Sequence, residues 1–149
     1  MKEAIENIRK ELKEYLVNTR LKCLVLGVSG GIDSALCAAL AKPICNELAI
    51  PLMGYSLPIE TNKKCEIERA EAVGIQLCTY FREIDMTKTY FNYLENVSIG
   101  LNTQSNQYDS VKIRLGNIKA RFRMLYLYNK AGKDRGMVLS TDNWTEYML

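Results

Sequence analysis

An α/β fold, a doubly wound parallel sheet, is what this sequence predicts, and three observations predict it. Short apolar runs alternate with helical patterns along the whole chain. The first run, Cys23 to Val28, is apolar without alternation, as in a strand buried on both faces. Directly behind it stands Ser29-Gly30-Gly31-Ile32-Asp33-Ser34, a loop of glycines and hydroxyls that leads into an Ala-rich helical stretch. A strand, a loop of this kind and a helix start form an anion site. Glycines let backbone N–H groups close on phosphate oxygens, and the helix N-terminus adds about half a positive charge.

The elements follow in order. Ile5, Ile8, Leu12 and Leu16 recur at three- and four-residue spacing among Lys and Glu, so residues 2–18 read as an amphipathic helix. Leu24 to Val28 is the first strand and residues 34–47 its return helix. Pro51 to Leu57 is a second strand, ended by Pro58 and the turn-like Thr61-Asn62. Lys64 to Val73 reads as a charged helix stopped by Gly74, and Leu77 to Phe81 as a third strand. A helix from Met86 to Leu94 leads into a polar loop, Asn96 to Asn106. The longest helix spans Tyr108 to Ala131, with Val111, Leu115, Ile118, Phe122 and Leu125 as its apolar stripe and a cap near Gly132. Gly136 to Ser140 is a fourth strand, and Trp144 to Leu149 opens another helix. Ligands in such sheets sit beyond the carboxyl ends of the strands. Ser29 and Ser140-Thr141 both lie there, so one crevice is expected to hold them.

A chain of 149 residues, 48% hydrophobic and 25% charged, reads as one ordinary globular domain. No apolar run approaches the roughly 20 residues of a membrane span, and the acid-bearing N-terminus is unlike a signal peptide. A net charge of +3 does not argue for nucleic acid. The excess is concentrated between Ser105 and Lys133, where the only acid is Asp109. Five cysteines form no C-x-x-C pair, which suits the reducing cytoplasm. Histidine is absent, which excludes Ser-His-Asp and Cys-His nucleophilic schemes and His-ligated zinc. Chemistry here must come from positioning, metal and cationic side chains.

The loop lacks the Gly-Lys-Ser/Thr ending of a Walker motif. It carries Asp33 instead, which would repel phosphate unless a divalent cation lay between them. That predicts a Mg²⁺-nucleotide site with pyrophosphate as its anion. The Ser-Gly-Gly-x-Asp-Ser spelling resembles the ATP pyrophosphatase superfamily. Two further motifs narrow it: Gly116-Asn117-Ile118-Lys119-Ala120-Arg121-Phe122-Arg123 and Ser140-Thr141-Asp142-Asn143-Trp144-Thr145-Glu146. Together the three closely resemble the ammonia-dependent NAD synthetase family over the whole chain.

The resemblance implies an adenine-nucleotide α-hydrolase-like domain and a ligase that amidates deamido-NAD with ammonia and ATP. By matched position, Gly27, Val28, Ser29, Gly30, Gly31, Ile32, Asp33, Ser34 and Thr141 would bind ATP. Asp33 and Glu146 would hold Mg²⁺, and Arg121 would contact deamido-NAD. Asp33 and Arg121 would be the catalytic residues, and a homodimer is implied, with no membrane or nucleic-acid partner. At the edge of the apolar stripe, Arg121 is expected to be half buried. The chain departs from many members at Ser56 and Asn62, where those carry arginine and glutamine. The family also continues beyond this point, so a fragment or a truncated gene is expected, one that folds and binds Mg-ATP weakly but makes no NAD. The rival readings are a tRNA-modifying thiolase or ligase of the same superfamily, or an inactive nucleotide-binding fragment that dimerises through the Val111–Leu125 stripe.

Overall fold

The structure, a computed structural model, describes residues 2–60, 63–97 and 108–141, with backbone alone over 108–110. Its elements are α1 (Lys2–Thr19), β1 (Leu24–Gly27), α2 (Ile32–Glu47), β2 (Leu52–Ser56), α3 (Lys64–Leu77), β3 (Tyr80–Glu83), α4 (Thr87–Asn96), α5 (Tyr108–Lys133) and β4 (Met137–Leu139). The four strands form a parallel sheet in the order β3-β2-β1-β4. The chain leaves β1 for β2 on one side and reaches β4 on the other, so the order in which strands are added reverses between β1 and β4. That reversal opens a crevice at the strands' carboxyl ends.

Alternation along β1 builds a core on each face. Leu24 and Leu26 join Leu16, Ala38, Ala41, Ile44, Cys45, Leu52 and Ala70 under α1, α2 and α3. Val25 joins Tyr55, Leu57, Ile59, Met86, Tyr90, Leu127 and Ala131 under α4 and α5. All three β1 side chains are fully buried, as the unbroken apolar run requires. The doubly wound α/β sheet expected from the sequence is therefore the observed fold.

Several boundaries differ from expectation. The glycine at 74 does not stop α3, which runs on to Leu77. A Cβ at Gly74 would lie 2.0 Å from the Phe81 ring, so this glycine marks a close approach of helix to strand. The longer helix displaces β3 to Tyr80–Glu83. Gly132 likewise lies within α5, and the reversal into β4 falls on Arg135, at φ 54°. The stripe of α5 turns as well: Ile118, Phe122, Leu127 and Ala131 face the sheet, while Leu125 is 68% exposed. The turn at Thr61-Asn62, most of the loop 96–106 and the helix opening at Trp144 lie outside the described residues.

Candidate nucleotide site

Gly27 ends β1 and Ile32 begins α2, so only four residues, Val28 to Gly31, make the turn. Gly30 sits at φ +79°, a conformation that L side chains rarely adopt. A Cβ there would also meet the Glu66 carbonyl oxygen at 2.3 Å, so the loop lies directly on α3. The hydroxyls hold its shape from inside. Buried Ser34 accepts the Ser29 N–H (3.3 Å) and donates to the Gly31 carbonyl (3.0 Å), and Ser29 Oγ accepts the Gly31 N–H (3.2 Å). Gly31, the N-cap of α2, offers no side chain to the first turn. The first-turn N–H groups that a cap would satisfy therefore point at the space in front of the helix.

That space is a cavity of about 490 Å³. Gly27 to Gly31 form its floor, Tyr55 to Pro58 one wall, Glu66, Ile67 and Arg69 another, with Arg123, Leu127 and Thr141 completing it. Ser29 and Thr141 meet because β1 and β4 are neighbours in parallel register. Asp33 sits in the first turn of α2 with its side chain exposed, just outside the lining. Among the described residues no group of three or more Cys, Asp or Glu side chains is gathered to hold a metal, and Glu146 lies outside them. One exposed carboxylate beside an uncapped glycine loop still fits Mg²⁺, which takes one or two carboxylates plus substrate phosphates rather than an all-protein cage.

The second motif divides by helix phase. Lys119 and Arg123, four residues apart, share a face of α5. The ammonium of Lys119 pairs with Glu60 and lies 5.3 Å from the Tyr90 ring centroid, tying α5 to the loop after β2. Arg123 donates from Nε to the Leu57 carbonyl (2.9 Å) and lines the cavity. Burial lowers its pKa, yet a guanidinium stays charged in proteins. Arg121, two residues from each, points the opposite way. It is exposed, not half buried as expected, and does not line the cavity. The reason is the turned stripe: with Leu127 rather than Leu125 on the sheet, residue 121 is carried outward. It stands among Ile113, Met124, Leu125 and Tyr128, all more than half exposed.

Sequence reasoning missed Arg69 and Arg123 as cavity residues. Arg123 had a signal, its place in the Lys-Ala-Arg-Phe-Arg motif, whereas Arg69 had none. Tyr55 also faces the cavity, edge-on to Tyr80 and Tyr126. Burial, with help from neighbouring phenols, pushes its pKa up to about 12, so it is a hydrogen-bond donor at neutral pH.

The profile of the NAD synthase family matches residues 4–149. The chain belongs to that family. A similar relative, the NH(3)-dependent NAD(+) synthetase of Finegoldia magna, is 35% identical over 96% of this chain and 54% of its own length. The solved NMN synthetase from Francisella tularensis superposes with a TM-score of 0.82 at 29% identity, over 98% of this chain and 56% of that one. The NH3-dependent NAD synthetase from Campylobacter jejuni gives 0.81 at 27% identity, over 98% and 58%. The chain thus spans about half the length of the NAD synthase relatives it matches.

Proposed function

We propose that this cavity binds Mg-ATP for the ammonia-dependent amidation of deamido-NAD, giving NAD, AMP and pyrophosphate. The observation that carries it is the meeting of the uncapped Ser29–Ser34 loop with Thr141 in one cavity, in a chain of the NAD synthase family. In this reading the nicotinate carboxylate attacks the α-phosphorus of ATP and the bond to the β-phosphate breaks. Ammonia then attacks the acyl carbon, loses a proton, and AMP leaves. Charge builds on phosphate oxygens in the activating step, so fixed N–H groups and arginines are the appropriate catalysts, and no histidine is needed. Mg²⁺, held by Asp33 with Glu146, would neutralise the β- and γ-phosphate charge. Arg121 would grip deamido-NAD. Its exposed apolar neighbours Ile113, Met124, Leu125 and Tyr128 would suit a surface for a second copy, and so support a homodimer. Five free cysteines suit the cytoplasm, and no helix among the described residues is long and apolar enough to cross a membrane.

Pyrophosphate release from ATP, with ammonium and Mg²⁺, tests the reading. The added acceptor is deamido-NAD, the mononucleotide acid whose amidation gives NMN, or tRNA. Release that depends on deamido-NAD carries the reading, and would correct the expectation from the sequence that a chain of this length makes no NAD. Dependence on the mononucleotide moves the substrate toward that of the Francisella tularensis neighbour. Dependence on tRNA overturns the reading, and ATP binding without release in any arm leaves a nucleotide-binding protein only. EDTA and Asp33→Asn should each weaken ATP binding, and affinity unchanged by both would remove the metal role.

A further inference from the structure

The cavity holds three charged side chains, and two have structural partners. Glu66 closes the N-terminus of α3, its carboxylate accepting the Lys63 N–H at 3.3 Å. Arg123 spends its Nε–H on Leu57. Arg69 is different. It projects from the middle of α3, lines the cavity, and has no hydrogen-bond or ion-pair partner among the described residues. Its root lies against the phosphate loop, with Arg69 Cβ 3.3 Å from where a Gly30 side chain would begin. The same contact fixes the helix relative to the loop, because Gly30 also abuts the Glu66 carbonyl and the Ala70 N–H.

An exposed guanidinium on the wall of a cavity whose floor is the uncapped turn into α2 has one obvious complement, a multiply charged oxyanion. We infer that Arg69 is a phosphate-binding residue of the nucleotide cavity, closing on the β- and γ-phosphates from the α3 side while the loop holds them from below. The inference rests on the nucleotide reading of the site and extends it to the wall that no loop motif reaches. Arg69 would stabilise the departing pyrophosphate in the same way, since its forked donors bridge two oxygens at once.

Arg69→Met keeps the stem that packs by Gly30 and removes the charge, and Arg69→Lys keeps the charge and removes the fork. Inorganic pyrophosphate, Mg-ATP and adenosine are titrated calorimetrically into the wild-type chain and both variants. Arg69→Met is expected to weaken pyrophosphate and Mg-ATP about tenfold or more, the size of a charged hydrogen bond. Adenosine and the melting temperature should not move, and Arg69→Lys should recover part of the loss. Equal pyrophosphate affinity in wild type and Arg69→Met overturns the inference and leaves the nucleotide reading standing. An equal loss for adenosine also overturns it, by making Arg69 a structural residue. Failure of the wild-type chain to bind any of the three overturns the nucleotide reading, and this inference with it.

Discussion

Gly30 is the residue at which conformation and contact make the same demand. Its φ of +79° strains any L side chain, and a Cβ would press on backbone atoms of α3, which cannot rotate aside as a side chain can. Gly30→Ala should therefore push the loop off α3. We expect loss of measurable ATP binding with a fall in stability of about 1–3 kcal/mol, read by calorimetry and urea unfolding. Retained ATP affinity would show that the loop can shift and still cradle phosphate. The turn that holds this residue, with Ser29 and Ser34, could be picked out of the sequence, because a strand-to-helix glycine loop is local and its spelling reports its backbone. Arg69 could not. A lone arginine in a charged helix reads as solvated surface until the fold brings Gly30 beneath it.

At the scale of the element, α5 shows where periodicity stops being informative. From Phe122 onward the sequence offers apolar residues on both sides: Leu125 and Tyr128 on one, Tyr126 and Leu127 on the other. Either phase makes an acceptable amphipathic helix, and only packing against β1 and β4 selects the second. The choice decides which arginine enters the cavity. It also gives a clean comparison, since Arg121 and Arg123 sit on the same helix with opposite outlooks. Arg121→Ala should weaken deamido-NAD about tenfold to a hundredfold, the worth of one charged contact, while leaving ATP nearly untouched. Equilibrium binding of each ligand checks it, and equal losses for both would assign Arg121 to the folding of the helix. The element boundaries were read less well than the elements. Gly74 and Gly132 carry the stop signal of a helix, yet one accommodates Phe81 and the other stands in open space within a continuing helix.

For the whole molecule, the alternation of strands and helices was enough to give the class of fold and the end of the sheet at which the cavity opens. It could not give stability, which depends on what the sheet buries. Two thiols are held in low dielectric: burial pushes Cys45 and Cys78 up to about 11, from an ordinary thiol value of 9.0. Both are neutral acids favoured in the folded state, so between pH 9 and 11 the unfolded chain binds fewer protons than the folded one. Stability should be flat through neutral pH and decline as pH rises past about 9, with Tyr55 adding to the loss above 10. Urea unfolding at pH 8 and pH 10.5 tests this, and a Cys45→Ala, Cys78→Ala double variant should show a shallower decline. The strand order 3-2-1-4 carries a kinetic consequence too. Leu24 finds its neighbour Leu52 early, but its other neighbour, Met137, only after α5 has been made. Until then the most apolar strand of the protein is an edge, with a row of unpaired N–H and C=O groups along Leu24 to Leu26. The arrival of β4 pairs those groups and passes the open edge to Met137 to Leu139, three side chains that are each only partly buried.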